Sequence, residues 1–380
     1  MYSIADFGRM IANRERMEPY VQALRAAVRP GMVVADIGAG TGIFSFIACQ
    51  LGARRVYAIE PNGAIAAARS AAAALGHAGR IEFIERMSTA VALPEKADLI
   101  VSDIRGALPF FQRSIPSLID ARRRLLAPGG AMIPLRDTVW AALAHAPAIH
   151  RKHIGVWTDN VAGVPMPGIA RMAANAWHRA RFETRDLRSA AVRCAEIEYM
   201  REERSRFEWE IELTCAEEGE VHGLALWFDA EAAPGILYSN GPGEPELVYG
   251  QGYFPWLEPV RLRVGDRVFA RMAAWSGDED FDWLWSTRIA SSDGREIAKF
   301  QQGTWLANLP LGKALVRRDA AFVPCPNEAA ALDRYVLSAI DGSSSLRDIA
   351  DRVRQDFPGR FGSWEDALSH VGAISSVYSA

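Results

Sequence analysis

The sequence predicts an α/β domain, a second domain made mainly of β-strands, and a small helical domain at the C-terminal end. Three observations favour this order: a strand–glycine turn–helix–strand unit near the start, a middle stretch of short apolar runs broken by Gly, Pro and Asp, and a tail of amphipathic segments. A chain of 380 residues is long enough for two or three domains. We expect them to span residues 1–134, 135–312 and 313–380.

A βαβ unit opens the first domain. The run 32–37 predicts a strand, residues 38–42 a glycine-rich turn, residues 43–51 a helix, and residues 56–59 a second strand that ends at Glu60. Glycines let the backbone turn tightly and approach a ligand closely. A carboxylate at the tip of the second strand can accept hydrogen bonds from both hydroxyls of a ribose, which indicates a nucleotide-like ligand.

Further elements complete a doubly wound sheet around this unit. They are a helix over 10–28, strands over 81–84 and 97–103, and a helix over 113–126. Because the C-terminal ends of parallel strands surround one crevice, we expect Glu60, Ser88 and Asp103 to face it.

The spacing of the glycines separates two kinds of ligand. The turn reads Gly38-x-Gly40-x-Gly42 and follows Asp36. Its last glycine comes one residue too early for the dinucleotide fingerprint, so an NAD-dependent oxidoreductase is the weaker interpretation. The pattern instead resembles the first motif of class I S-adenosylmethionine-dependent methyltransferases. A plain tight turn is the alternative without function.

Motifs along most of the chain resemble those of the protein arginine methyltransferases. They occur in the family's order and cover about residues 2–310. The matching segments are Met10-Ile11-x-Asn13-x-x-Arg16-x-x-x-Tyr20, 36–42, 52–60, 102–106, 128–130, 221–229 and 239–242. The resemblance implies a Rossmann-like methyltransferase domain followed by a β-barrel, with S-adenosyl-L-methionine as the cofactor.

The same resemblance assigns residues to the cofactor site. It implies that Arg16 holds the carboxylate of the methionine moiety and that Glu60 holds the ribose. The adenine would lie near Met87 and Ser88, although the family has Val-Glu where this chain has Ser88-Thr89. The expected cofactor-binding residues are Arg16, Asp36, Gly38, Gly40, Thr41, Gly42, Glu60, Pro61, Met87 and Ser88.

The chain departs from the family where the acceptor binds. The family's loop carries two glutamates, and an ungapped alignment places Asp103 and Gln112 at their positions. Two carboxylates orient a guanidinium and offset its charge, but here one is shortened and the other is a neutral amide. The family's Thr-His-Trp element aligns with Leu247-Val248-Tyr249. We therefore take Asp103 and Gln112 as catalytic candidates and expect an acceptor other than ordinary arginine.

A helical arm is expected within the β domain. Residues 166–188 look helical, and the family has at this place an arm that docks on the cofactor domain of a second subunit. The resemblance therefore implies a homodimer through residues 160–190, with a lid or a plain surface helix as the alternative.

Aromatic side chains of the β domain have two interpretations. We expect the tryptophans to pack in the barrel core rather than to line a peptide groove: Trp227, Trp256, Trp283 and Trp285.

Three histidines share one polar stretch without a Cys, Asp or Glu at metal-ligand spacing, so we expect no metal: His145, His150 and His153.

The tail lies outside the arginine methyltransferase pattern. Residues 327–340, 345–354 and 364–376 predict three helices. The stretch 337–350 resembles the helical part of PqqD-like domains, which are winged-helix folds that capture leader peptides of ribosomally made peptides. A generic three-helix appendage is the alternative. The third helix carries no Arg or Lys, which argues against nucleic-acid recognition.

The composition limits which ligands and which location in the cell are expected. The chain is 49% hydrophobic and 23% charged with a net charge of −3, so affinity for phosphate backbones is not expected. Four well-separated cysteines and the lack of a signal-peptide pattern indicate a cytoplasmic protein. No uncharged apolar run reaches the length that a membrane span needs.

Together these features predict a methyltransferase that acts on a side chain of a peptide or protein. A ribosomally made precursor peptide captured by the tail is the most specific version of this hypothesis. Two alternatives stay open: a cofactor-binding scaffold that has lost catalysis, and a small-molecule methyltransferase, which would have a closed pocket.

Overall fold

The protein is described by a computed structural model over residues 3–277, 280–307, 323, 325 and 328–379. The chain divides into two compact units, Met1–Leu309 and Pro310–Ala380. The first two predicted domains therefore lie in one unit. The predicted boundary at residue 312 falls outside the described residues.

A parallel sheet of five strands forms the first half of the first unit, in the order β3-β2-β1-β4-β5. Its strands are β1 (Val33–Ile37), β2 (Arg55–Ile59), β3 (Ile81–Ile84), β4 (Ala97–Ser102) and β5 (Leu126–Ile133). β1 is buried along its whole length, as expected for a central strand of a parallel sheet. The strand order reverses between β1 and β4, so the loops after β1, β2 and β4 meet at one edge.

Helices flank the sheet. Two of them lie where the sequence predicts helices, over 43–51 and 113–126, whereas the helix between β2 and β3 was not predicted. The helices are α1 (Ile4–Ala12), α2 (Arg14–Ala27), α3 (Ile43–Gln50), α4 (Ala64–Ala74) and α5 (Ser114–Leu125). The prediction of one helix over 10–28 was wrong, because Asn13 adopts an extended conformation between α1 and α2. The Asn13 side chain donates to the carbonyl of Glu246 at 2.9 Å and accepts from the N–H of Val248 at 3.2 Å.

Two antiparallel sheets form the second half of the first unit. One has the order β7-β12-β10-β6-β8, with β11 paired to β10, and the other has the order β15-β14-β13-β9. The strands are β6 (Arg136–Ala144), β7 (His178–Ala180), β8 (Val192–Glu198), β9 (Arg206–Thr214), β10 (Gly219–Ala233), β11 (Ile236–Ser239), β12 (Gln251–Leu262), β13 (Arg267–Ser276), β14 (Phe281–Ala290) and β15 (Glu296–Gly303). The chain enters them through a cis bond between Ile133 and Pro134. The expected Rossmann-like sheet followed by a barrel-like β half is confirmed.

The expected helix over residues 166–188 was wrong for most of its length. Helices α6 (Pro147–His153) and α7 (Pro167–Ala173) are short, and residues 178–180 form β7 against β12. Asn175 ends α7, because its side chain donates to the carbonyl of Arg171 at 2.7 Å. The carbonyl of Ala174, which a further helical turn would use, accepts a hydrogen bond from Gln302 at 2.5 Å.

The tryptophans lie in the core, as expected. Trp256, Trp283 and Trp285 are fully buried, and Trp227 is 7% exposed. Phe110 from the loop after β4 packs edge-on against Trp283, with ring centroids 5.3 Å apart. This contact ties the sheet edge of the first half to the β-strands of the second half.

The second unit contains three helices among its described residues: α9 (Glu328–Ala339), α10 (Leu346–Asp356) and α11 (Trp364–Tyr378). A short helix, α8 (Thr304–Ala307), ends the described part of the first unit. The core of the second unit consists of apolar side chains from all three helices, including Leu332, Val336, Ile349, Val353 and Val371. Ser345 and Ser363 cap α10 and α11 in reciprocal pairs with Asp348 and Asp366, as the sequence of the tail predicts.

In the part of the chain that the structure describes, no helix is long and apolar enough to cross a membrane. The described residues also contain no group of three or more His, Cys, Asp or Glu side chains arranged to hold a metal ion.

Candidate active site

The glycine-rich turn after β1 brings the backbone close to two neighbouring segments. Gly38, Gly40 and Gly42 all have positive φ angles, between 53° and 84°. A β-carbon on Gly38 would lie 2.3 Å from Cγ2 of Ile104, and one on Gly40 would lie 2.5 Å from the ring of Phe7. Only glycine fits both the conformation and the space at these positions. Thr41 lies half-buried between them.

Asp36 is fully buried at the end of β1 and keeps one oxygen unused. Its Oδ2 accepts hydrogen bonds from the N–H and the hydroxyl of Ser45, at 3.0 and 2.7 Å. Oδ1 is buried and has no hydrogen-bond partner among the described residues. Burial raises the pKa of Asp36 to about 7, although the bonds from Ser45 act in the opposite direction. An unpaired buried oxygen of this kind marks a place where a ligand group can donate.

Glu60 follows β2 and faces the glycine-rich turn. It is 8% exposed, and its Oε2 accepts from the N–H of Gly40 at 2.9 Å while Oε1 accepts from the N–H of Asn62 at 2.8 Å. A carboxylate offers about four acceptor positions, so two are left for other donors. Pro61 follows and is exposed.

The segment after β3 places Ser88 inside and Met87 at the surface. Ser88 is 5% exposed, whereas Met87 is 43% exposed. Arg124 of α5 fixes this turn, because its guanidinium donates to the carbonyls of Ser88 and Val91 at 2.8 and 2.6 Å. The sequence analysis missed Arg124, since no local pattern joins residues that lie so far apart in the chain.

Asp103 lies directly after β4 and is already paired with Arg16. The Asp103 side chain is 1% exposed, and its Oδ2 accepts from Nε and Nη2 of Arg16 at 2.6 and 2.5 Å. The hydroxyl of Tyr249 donates to the same oxygen at 2.5 Å. Burial raises the pKa of Tyr249 well above its ordinary value, so the phenol stays protonated and remains a donor.

A second buried pair, Arg105 and Asp137, adjoins the first. Nη1 of Arg105 donates to Oδ1 of Asp137 at 2.6 Å, and the hydroxyl of Tyr199 donates to Oδ2 of Asp137 at 2.5 Å. Nε of Arg105 lies 3.5 Å from Oδ1 of Asp103. The sequence analysis did not identify Arg105, Asp137 or Tyr199; the position of Arg105 two residues after Asp103 was the only signal.

Gln112 is placed differently from Asp103. Its side chain is exposed and its backbone has a φ of 46°, which a non-glycine residue rarely adopts. The N–H of Gln112 donates to Oδ1 of Asp280 at 2.6 Å, which joins this loop to the start of β14. Asp280 was also missed by the sequence analysis. Of the two catalytic candidates, therefore, only Asp103 lies in the buried network.

Comparisons with known proteins agree with this arrangement. A family model described as a methyltransferase domain matches residues 34–130. An arginine N(omega)-methyltransferase of Streptomyces achromogenes is 29% identical over 274 residues, covering 70% of this chain and 75% of the relative. A probable protein arginine N-methyltransferase 6 of Arabidopsis thaliana is 28% identical over 63% of this chain and 58% of the relative.

Two solved structures share the fold. The Trypanosoma brucei PRMT1 enzyme–prozyme heterotetrameric complex with AdoHcy aligns with a TM-score of 0.71 at 22% identity, covering 78% of this chain and 96% of that one. Arabidopsis thaliana protein arginine methyltransferase 10 aligns with a TM-score of 0.68 at 20% identity, covering 80% and 98%.

The glycine-rich turn, the buried carboxylates at the strand ends and the matching domain define an S-adenosylmethionine-dependent methyltransferase. Within that class, the chain is similar in sequence and fold to the protein arginine methyltransferases. The expected cofactor and enzyme class are thus confirmed.

Replacing Asp36 by Asn should change how stability depends on pH. With a pKa near 7 in the folded state, Asp36 keeps a proton that the unfolded chain releases near pH 4. Stability therefore falls as pH rises from about 4 to 7, and Asn removes this fall. The free energy of unfolding is measured with urea at pH 5 and at pH 8. Between these pH values it should fall by about 2–3 kcal/mol more in the wild type than in Asp36→Asn. If the free energies of unfolding of the two proteins differ by the same amount at pH 5 and at pH 8, Asp36 is ionised at both.

Proposed function

We propose that the protein methylates a neutral polar side chain of a peptide or protein, and that plain arginine is not its acceptor. The observation that supports this proposal is the burial of Asp103 and its pairing with an arginine. Asp103 takes the position of the family's first acceptor-binding glutamate, yet it is buried against Arg16 and faces Arg105. The second glutamate position holds Gln112, which has no charge to offer.

The cofactor site fits S-adenosylmethionine on three features. Asp36 Oδ1 is buried without a partner and can accept from the ammonium group of the methionine moiety. Gly38 and Gly40 leave room where any side chain would collide. Glu60 has acceptor positions left for the ribose hydroxyls. Arg16, Thr41, Gly42, Pro61, Met87 and Ser88 complete the proposed set.

When bound, the cofactor supplies a methyl group on a sulfonium, which is electrophilic and has a good leaving group. The chain therefore needs mainly to orient an acceptor and to exclude water. The burial of Arg16, Asp103 and Tyr249 provides a dry, fixed surface for this purpose. Gln112 would orient the acceptor through its exposed amide.

Glu60→Ala should weaken cofactor binding. Losing a carboxylate that receives two ribose hydroxyls removes about 1.5–3 kcal/mol, roughly a tenfold to hundredfold loss of affinity. Calorimetric titration with S-adenosylhomocysteine measures it. Glu95→Ala is the matched control, because Glu95 pairs with Arg54 at the surface and should bind the ligand as the wild type does. Unchanged affinity in Glu60→Ala would refute the role of Glu60.

A cationic acceptor fits this site poorly. A guanidinium entering beside Asp103 would meet two arginines and one carboxylate that is already paired. A buried charge without a partner costs several kcal/mol. A neutral acceptor avoids that cost, whether it belongs to a peptide or to a smaller molecule.

Two other functions have specific support. The Streptomyces relative is named an arginine N(omega)-methyltransferase, which supports a small-molecule methyltransferase with arginine itself as the acceptor. One similar solved structure is a complex of an enzyme with a prozyme, which makes a catalytically impaired scaffold a concrete alternative. Turnover of bound cofactor with any acceptor separates the enzyme from the scaffold.

The second unit is proposed to capture the peptide. Its three helices form a small core of their own, and the resemblance of residues 337–350 to PqqD-like domains suggests a leader peptide as the ligand. Tethering raises the local concentration of the acceptor to about millimolar, so a weak fit in the active site suffices. Cytoplasmic location, inferred from the spacing of the cysteines, stays a prediction.

Removal of residues 320–380 tests capture directly. The KM for a leader-containing peptide should rise by about tenfold or more, because the tethered acceptor becomes a free one. The affinity for S-adenosylhomocysteine should stay the same, and the same peptide without its leader serves as the control substrate. An unchanged KM would contradict capture by the tail without bearing on methylation itself.

The proposed homodimer uses the segment around α6 and α7. Its loop carries two exposed valines, Val161 and Val164. A groove of about 440 Å³ lies along α1 and α2 on the cofactor half. Its lining combines apolar and polar side chains: Ile11, Ala12, Met17 and Val21 with Arg14, Glu18, Gln22 and Arg25. Because the resemblance places the arm on the cofactor domain of a second subunit, this groove is the proposed docking site for the valines of the partner copy.

The double variant Val161→Asp, Val164→Asp should be monomeric by light scattering at micromolar concentration. Two charges placed in an apolar contact lose more on desolvation than they gain. Val264→Asp is the control, because Val264 is also an exposed valine but lies on the turn before β13. A wild type that is already monomeric would overturn the proposed dimer.

A further inference from the structure

Arg105 is a buried cation held between two carboxylates. Its side chain is 4% exposed, and that of Asp137 is fully buried. Nη1 donates to Asp137 Oδ1 at 2.6 Å, while Nε lies 3.5 Å from Asp103 Oδ1. The guanidinium therefore faces one carboxylate on each side.

Aromatic rings complete the surroundings of Arg105. Its guanidinium carbon lies 5.0 Å from the ring centroid of Phe228 and 5.7 Å from that of Tyr238. Tyr199 supports the far side, since its hydroxyl donates to Asp137. Paired carboxylates with aromatic faces are the groups that proteins use to hold a guanidinium.

We propose that the guanidinium of Arg105 occupies the site in which the guanidinium of an arginine acceptor would otherwise bind. Arg105 thereby selects an acceptor that bears a hydroxyl. The inference rests on the proposed function, because it concerns the same acceptor site. It assigns to Arg105 the role of a specificity-determining residue, which touches the acceptor but takes no part in bond making.

Arg105 also lies on the acceptor side of the loop. The residue before it, Ile104, contacts the glycine-rich turn, as the close approach to Gly38 shows. Asp103 and Arg105 instead contact side chains of α2 and of the β half, including Arg16, Tyr249 and Phe228. The loop thus contacts the glycine-rich turn through Ile104 and the charged cluster through Asp103 and Arg105.

The unused hydrogen-bonding groups specify the acceptor. Asp103 Oδ1 is buried and accepts no hydrogen bond among the described residues. Arg105 has five N–H donors, of which one is used in the described part of the chain, that to Asp137. A hydroxyl both donates and accepts, so it can donate to Asp103 and accept from Arg105 at once. On methylation its proton would pass to Asp103 Oδ1, and the electron pair of the broken S–CH₃ bond would stay on the sulfur of the cofactor.

A charged acceptor can pair with only one of these two groups, Asp103 and Arg105. A carboxylate could accept from Arg105 but would face the like charge of Asp103. A guanidinium could donate to Asp103 but would face the like charge of Arg105. Since like charges in a buried site repel strongly, neither pairs as well as a hydroxyl.

Chemical rescue tests the occupied guanidinium site without any substrate. Arg105→Ala should lower the melting temperature, because Asp137 loses its buried partner. Guanidinium chloride at about 10 mM should then raise it by a few degrees, since a ligand of the folded state stabilises it. Sodium chloride at the same concentration should not, and neither the wild type nor the surface variant Arg271→Ala should respond. A guanidinium effect in Arg105→Ala no larger than that of sodium chloride would refute the proposal.

A second measurement uses only the wild-type protein, in case the variant does not fold. Matched peptides that differ at one position, Ser, Tyr, Glu or Arg, are compared for methyl transfer. Hydroxyl peptides should exceed arginine peptides in kcat/KM by about a hundredfold, as expected when one buried group is left without a partner. Arginine peptides that equal or exceed them would overturn the choice of acceptor. Transfer to no peptide, with cofactor binding intact, contradicts peptide methylation, and the rescue result then decides the role of Arg105.

Discussion

Burying the charge of Asp103 constrains the whole first unit. The carboxylate receives donors from Arg16 of α2 and from Tyr249 of the loop before β12, and Arg105 follows it in the chain. Removing one partner of a buried ion pair costs about 3–5 kcal/mol, so these segments are held in one arrangement. Asp137, at the start of β6, extends the same network into the barrel. The parallel sheet and the β half are therefore joined by buried ion pairs, to which each half contributes charged residues.

Tyrosine hydroxyls stabilise the buried charges of this network by donating hydrogen bonds. Tyr20, Tyr199, Tyr238 and Tyr249 are all buried, and burial raises the pKa of each. They therefore stay protonated and act as donors, to Asp103, to Asp137, to another tyrosine and to the carbonyl of Ser102. Because two arginines face two aspartates, the cluster is balanced, and an added cation has no carboxylate left to itself.

The predictable parts of the molecule are those encoded locally. The glycine-rich turn, the strand ending at Glu60 and the capped helices of the tail follow from short patterns, and the structure has them in place. Asp137, Tyr249 and Asp280 could not be found in this way, because their partners lie far away in the sequence. The helix expected over 166–188 failed in part for the same reason, because the distant Gln302 donates to the carbonyl of Ala174. The other contribution is local, since the side chain of Asn175 donates to the carbonyl of Arg171.

A crystal structure with S-adenosylhomocysteine bound would test the central claim most directly, by locating the Arg105 side chain. The account predicts that its guanidinium remains hydrogen-bonded to Asp137 and adjacent to Asp103, while Glu60 accepts from the ribose hydroxyls. An Arg105 side chain turned away from the site, leaving Asp103 and Asp137 facing an open pocket, would contradict the account and restore arginine as the natural acceptor.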